Sequence, residues 1–346
     1  MSPATATVAI LGASGYAGGE LIRLVDGHPG LEAVHLGAHS KEGARLGDVH
    51  PQLSGGDRVL ASLDPGDVPA VDIAFLALPH GASAEPALQL LGRGVKVVDL
   101  GSDFRLDGPD RYREAYGTDH PHPDQLGAWA YGIPELFASR IRGADRVAAP
   151  GCYPTSAILA LAPVLAAGLI GPEGIAVDSL SGVTGAGRGV KESLMYGAVD
   201  EGVVAYGVLT HRHRPEIEQG LAMAAGVEPT VVFTPHLVPM QRGILTTCYA
   251  KAAAGATADS LREALDKAYA AAPFVEVVDV APQTRWVVGS NRCLIAAFHD
   301  ERTGTALVMA AEDNLLKGAA GQAVQCANLM LGFDEATGLP LDGWLP

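Results

Sequence analysis

A short β-branched run, Thr7-Val8-Ala9-Ile10-Leu11, passes directly into Gly12-Ala13-Ser14-Gly15-Tyr16-Ala17-Gly18 and then into a segment with Leu21, Ile22, Leu24 and Val25 at helical spacing. This strand, glycine loop and helix order constrains the fold more than any other feature of the chain. Glycines at such a turn let the backbone approach a pyrophosphate, and the following helix offers it unpaired N–H groups and a positive dipole end. The spacing is GxxGxxG, one step from the commoner GxGxxG, so its weight comes from its place in the chain. Further apolar runs follow near 33–38, at 72–78 and at 95–100, with a helical segment at 83–91 before the last. Continuous apolar runs bounded by Gly or Pro read as strands buried on both faces. The expectation is a Rossmann-type, doubly wound parallel sheet that binds a dinucleotide through Gly12, Ser14, Gly15, Tyr16, Ala17 and Gly18.

The end of the second strand selects the cofactor. NAD enzymes place a carboxylate there to hold the ribose 2′-hydroxyl. Here the chain reads Leu36-Gly37-Ala38-His39-Ser40-Lys41, and a hydroxyl with cations suits a 2′-phosphate. NADP(H) is therefore expected, with Ser40 and Lys41 at that phosphate.

After Gly151 the pattern changes. A long apolar helix at 154–167 precedes strand-like runs at 175–180, 230–234, 244–250 and 275–280, and a hairpin whose arms, 293–299 and 306–310, are joined by Asp300-Glu301-Arg302-Thr303-Gly304. Hairpins with few helices predict an α+β catalytic domain on a mixed, largely antiparallel sheet. At 346 residues, two domains are the natural division. They are read as 1–151, completed by a C-terminal helical segment within 315–346, and 152–314 for catalysis and dimerisation.

Cys152 lies in Pro150-Gly151-Cys152-Tyr153-Pro154-Thr155, at the entrance to the long helix. Pro154 is tolerated in a first helical turn, which sets the thiol at the helix start, where the dipole favours thiolate. Cys248, Cys293 and Cys326 sit inside apolar runs and read as buried small side chains. No two cysteines are close enough for a redox pair or a zinc knuckle, and no metal site is expected. The nucleophile needs a base, and His211-Arg212-His213-Arg214-Pro215-Glu216 is the densest imidazole and cation cluster, ahead of a helix read as starting at Pro215. Two segments have the content of an anion cradle: Ser181 to Gly189, with Gly182, Gly185 and Arg188, and Gly101 to Arg105, with Ser102.

Bulk properties remove several classes of function. A formal net charge of −15 repels phosphate backbones and anionic lipid, so neither nucleic acid nor membrane is an expected partner. The longest apolar stretch, 155–171, is broken by Pro163 and falls short of the roughly 18–20 residues a membrane span needs. The first apolar run is too short for a signal sequence and lacks a basic leader, and scattered thiols suit a reducing compartment. The expectation is a cytoplasmic enzyme.

Taken together, six ordered motifs resemble the N-acetyl-gamma-glutamyl-phosphate reductase family over essentially the whole chain. They are the Gly12 loop, Leu78-Pro79-His80-Gly81, Asp99 to Arg105, the Cys152 segment, the His211 cluster, and Asp313-Asn314-Leu315-Leu316-Lys317-Gly318 with the residues to Ala323. The Cys152 and Leu78 segments separate this family from the aspartate-semialdehyde dehydrogenases. The resemblance implies an acyl phosphate as small-molecule substrate, attack by Cys152 to give a thioester, and reduction by NADPH to an aldehyde. It implies His213 as acid/base, with His211 as the alternative. It sets Leu78, Pro79, His80, Gly81, Ser181, Gly182, Asn314, Lys317 and Gly318 at the cofactor, and Ser102, Arg105, Gly185 and Arg188 at the substrate. Which of these anchors holds phosphate and which holds carboxylate stays open. A homotetramer or homodimer is implied as well.

Overall fold

The computed structural model describes residues 5–344, which divide into two compact units. The first comprises residues up to 109, residues 119–150 and residues 319–339. It contains β1 (Ala6–Leu11), α1 (Tyr16–Asp26), β2 (Leu31–Gly37), α2 (Leu46–Val49), β3 (Ile73–Leu76), α3 (Ala84–Gly92), β4 (Lys96–Asp99), β5 (Ala130–Tyr131), α5 (Pro134–Ile141), β6 (Arg146–Ala148) and α10 (Gly321–Leu331). Its six strands form an all-parallel sheet in the order β2-β1-β3-β4-β6-β5. The central strands are buried on both faces, as their continuous apolar runs require: every residue of β3 is buried, and so are the last four of β1. The order reverses between β1 and β3, and the crevice beyond their carboxyl ends is where open α/β sheets bind ligands. Helix α10 packs beside α1, α5 and β4.

The second unit comprises residues 110–118, 151–318 and those from 340 onward. It holds most of α4 (Pro109–Tyr116), then α6 (Cys152–Ala166), β7 (Ile175–Ser181), α7 (Tyr196–Val199), β8 (Val204–Ala205), α8 (His213–Ala225), β9 (Val231–Leu237), β10 (Ile244–Lys251), α9 (Ala258–Tyr269), β11 (Val275–Val277), β12 (Cys293–Asp300) and β13 (Thr305–Glu312). The seven-stranded sheet runs β11-β12-β13-β10-β7-β9-β8, with four antiparallel and two parallel pairings. The anticipated hairpin is β12 and β13, paired from Cys293↔Glu312 to Asp300↔Thr305. One face of the sheet carries α6, which is buried along its whole length from Tyr153 to Leu165. A helix apolar on all sides belongs at the centre of a core. Among the described residues no helix is long and apolar enough to cross a membrane.

Among the elements that differ from the sequence reading are two helices. Helix α8 starts at His213, two residues before Pro215, because proline is tolerated within a first turn as well as at its first position. The helical segment expected at 315–331 begins as a π-helical turn, Leu316–Ala320, before becoming α10.

Candidate active site

Cys152 is the first residue of α6, with Gly151 as N-cap in extended conformation. The backbone amide of Gly151 donates to Glu216 Oε1 at 2.8 Å, so the residue before the thiol is held by a fully buried carboxylate from the first turn of α8. Helix α6 is fixed from behind by a buried hydroxyl chain, Ser156 Oγ to Thr246 Oγ1 at 2.7 Å and Thr246 Oγ1 to Ser179 Oγ at 2.8 Å. On another side, a Cβ placed on Gly318 would lie 2.7 Å from Cys152 Cβ and 3.0 Å from Glu312 Oε1. Gly318 therefore packs directly against the cysteine, and no other residue type fits there.

Cys152 opens into a cleft of about 660 Å³ whose walls include Ser181, Gly185, Lys191, Tyr206, His211 and His213. The two imidazoles lie side by side with ring centroids 4.8 Å apart, and Tyr153 meets both edge-on at 5.8 and 5.9 Å. Burial, then the neighbouring Arg212 charge, pushes His211 down to about 4, so it is neutral at physiological pH. Its Nδ1 accepts the backbone amide of His213 at 3.2 Å, which assigns the proton of neutral His211 to Nε2. Tyr153 and Tyr206 share a hydroxyl contact of 2.9 Å. Burial pushes Tyr206 up to about 12 and raises Tyr153 further, so both phenols keep their protons.

The loop at 181–189 is anchored at its start. Ser181 Oγ donates to Gly182 O at 3.1 Å, and Asn314 uses both ends of its amide, accepting from Gly243 N at 2.8 Å and donating to Thr184 Oγ1 at 3.0 Å. Arg188 is exposed farther along the loop. Lys317 is fully buried, with its ammonium 5.9 Å from the Phe274 ring centre.

In the first unit, the glycine loop has the close packing a pyrophosphate site needs. Gly12 has φ +93°, and a Cβ there would lie 2.3 Å from Ala77 O. One on Gly18 would lie 2.2 Å from Gly12 O. Helix α1 carries no side-chain cap and no acidic residue in its first turn, which suits an anion at that end. Ser40 and Lys41 are exposed just beyond β2. These features fit a dinucleotide. Past β3, the Pro79-His80-Gly81 turn is exposed and rests on Asp103. The Asp103 carboxylate accepts from the amides of Gly81, Ser83 and Ala84 at 2.7–3.0 Å and lies 3.2 Å from His80 Nδ1. Burial alone would raise Asp103, but the hydrogen bonds from His80, Gly81 and Ser83 outweigh it and hold the group at about 2. Asp99 beside it is pushed up to about 7 by burial, then by the Asp103 charge.

Two of the expected substrate residues are turned inward. Ser102 is buried and bonds His80 Nδ1 at 2.8 Å, while Arg105 donates to Ala149 O at 2.9 Å and Leu100 O at 2.8 Å. Sequence reasoning also missed working residues. His50 Nε2 lies 2.9 Å from Ala13 O, which makes it the buried support of the glycine loop, and no local signal marks it. Glu216 stands three residues after His213, one helical turn along, a signal available once α8 is started at His213.

A parallel dinucleotide-type unit, joined to a unit that opens a helix-start cysteine into a cleft with two imidazoles, defines a nicotinamide-dependent oxidoreductase of the semialdehyde dehydrogenase class. Family models agree: residues 7–144 match "Semialdehyde dehydrogenase, NAD binding domain" and residues 152–314 match "Semialdehyde dehydrogenase, dimerisation domain". Similar solved structures include aspartate semialdehyde dehydrogenase II complexed with ASA from Vibrio cholerae (TM-score 0.72, 19% identity, 95% of this chain and 98% of that one). The NADP-bound aspartate semialdehyde dehydrogenase from Candida albicans gives TM-score 0.66 at 17% identity over 94% of this chain and 98% of that one. Much nearer in sequence are proteins named N-acetyl-gamma-glutamyl-phosphate reductase. That of Rhodospirillum rubrum is 49% identical over 96% of each chain, and that of Pseudarthrobacter chlorophenolicus 47% identical over 99% of this chain and all of its own. The chain belongs to the N-acetyl-gamma-glutamyl-phosphate reductase family.

Proposed function

We propose that the chain reduces N-acetyl-gamma-glutamyl phosphate to N-acetylglutamate semialdehyde and phosphate, using NADPH and a thioester on Cys152, as a step of arginine biosynthesis in the cytoplasm. The observation that carries this reading is Cys152 at the first position of α6, opening into one cleft with His211 and His213. The names of the relatives support the substrate. NADP rather than NAD is favoured by Ser40 and Lys41 beyond β2, where a carboxylate would otherwise grip the 2′-hydroxyl.

The residues supply the following chemistry. The Cys152 sulfur attacks the acyl carbon, the C–O bond to phosphate breaks, and a thioester remains on the chain. The loop of Gly12, Gly15 and Gly18 would hold NADPH, which would supply the hydride that reduces the thioester carbon. The tetrahedral oxyanion then left on Cys152 takes a proton and collapses to aldehyde and free thiol. His213 is assigned the acid/base role, because His211 already accepts a backbone amide at Nδ1 and retains only an Nε2–H donor suited to steadying the oxyanion. Gly318 packs against Cys152, where any side chain would displace the nucleophile. We assign 1–151 with 315–346 to NADP and 152–314 to catalysis and self-association, as a homodimer or homotetramer.

The test is NADP-linked oxidation of N-acetylglutamate semialdehyde with phosphate, comparing native protein with Cys152→Ser. Phosphate-dependent activity in the native protein and none in the variant is the expected result. Turnover of aspartate semialdehyde or a carrier-bound analogue instead would retain the thioester chemistry and remove the named substrate.

A further inference from the structure

The segment between β7 and α8 has two faces of opposite character. Inward, Lys191, Ser193, Leu194, Val204, Tyr206 and Thr210 form a wall of the Cys152 cleft. Outward, Val190, Met195, Tyr196, Val203, Val208 and Leu209 are exposed, with Val190 at 92% and Tyr196 at 79%. Together with Val204 and Tyr206 they make eight of the seventeen large hydrophobic residues exposed among the described residues, gathered in twenty positions. A monomeric protein rarely leaves a contiguous apolar surface of this kind uncovered.

Little in the chain holds this wall. Its hydrogen bonds from 194 to 202 are to its own near neighbours. It is hydrogen-bonded to the sheet through the two-residue strand β8 and the Tyr206 amide to Pro235 O at 3.1 Å, and to α6 through the Tyr206–Tyr153 hydroxyl pair. Glu201 (φ +57°) and Leu209 (φ +60°) are the non-glycine residues with left-handed backbone among those described, and both lie here. Such conformations are unfavourable for a residue with a Cβ and persist where surroundings over-determine them.

We infer that a second copy of this chain covers the outer face of 190–209, and that this contact sets the wall of the Cys152 cleft, so the site is complete only in the oligomer. Two observations select a second copy as the occupant. The model matched by 152–314 is described as a dimerisation domain. The charged residues of 190–209 are Lys191, Glu192, Asp200 and Glu201, and none falls in 202–209, so two copies can meet at Val203 to Leu209 without like-charge repulsion. The inference rests on the reading of Cys152 as the nucleophile and of 152–314 as self-associating.

The experiment introduces Met195→Glu with Val208→Glu, two outward residues that do not line the cleft, and uses Val59→Glu, on the exposed surface of the first unit, as control. Native protein and control are expected to have a mass that is a multiple of 35.6 kDa, and the double variant a mass near 35.6 kDa. In the double variant, amides of 190–209 should exchange with deuterium at least tenfold faster, and Cys152 should react with iodoacetamide several-fold faster. Its kcat should fall at least tenfold, with NADP affinity unchanged as evidence of a folded first unit. A native monomer, an oligomeric double variant, or a monomeric one with native exchange, alkylation and kcat would each overturn the inference. If native protein fails to turn over the semialdehyde while mass, exchange and alkylation shift as stated, the proposed substrate falls and the inference stands.

Discussion

In the loop after β1, a methyl group on Gly12 or Gly18 would lie within 2.3 Å of a backbone carbonyl oxygen, whereas in the loop after β7 one on Gly187 or Gly189 would meet nothing within 4 Å. Both loops mix glycine, alanine and hydroxyl residues between a strand and a helical turn. The first uses glycine to bring three stretches of backbone together, and the buried His50 ring fixes the result. The second is hemmed in only at its beginning, where Gly182 packs on Gln241 and Arg242, and its later glycines serve backbone freedom, with Gly187 at φ +82° and ψ 177°. Glycine content alone does not separate a rigid anion seat from a pliable wall; the neighbours do.

Substitutions can break this contrast. The largest effect is expected for Gly18→Ala, whose methyl collides with backbone of Gly12 and Ala13: about 2–3 kcal/mol of stability lost in denaturant titrations, and NADP binding lost with it. Next comes His50→Leu, which removes the hydrogen bond to Ala13 O. Calorimetry should show NADP affinity reduced roughly tenfold, or about 1.4 kcal/mol, with kcat at saturation preserved. Smallest are the substitutions in the second loop. Gly187→Ala should cost about 1 kcal/mol, because its backbone lies in a region nearly exclusive to glycine, while Gly189→Ala should stay within about 0.5 kcal/mol of native. Neither should alter NADP affinity. If Gly187→Ala weakens NADP as much as His50→Leu does, the two loops do the same work and the contrast fails.

Locally encoded features were legible in the sequence. The strand and helix around Gly12 follow from apolar periodicity, the start of α6 from Gly151 and Pro154, and the β12–β13 hairpin from two alternating runs about a short turn. Not legible were features whose partners lie elsewhere along the chain. Glu216 meets the Gly151 amide across 65 residues, and His50 meets Ala13 across 37. Nor does the sequence show that two nitrogens of Arg105, which has the composition of an anion ligand, serve the carbonyls of Leu100 and Ala149. A guanidinium looks the same in sequence whether it meets a ligand or its own backbone. Pro215 misled by two helical positions: read as the start of α8, it stands third, and the shift moves His213 from a loop into the first turn.

The burial of the cysteines has a bearing on inhibitor design. Cys248, Cys293 and Cys326 are enclosed, and burial raises the Cys248 thiol far above its usual range, while Cys152 alone is partly open. An electrophilic warhead aimed at the native chain therefore has a single accessible sulfur to find, and selectivity within the molecule comes free. The chemist's remaining task is recognition of the cleft around it.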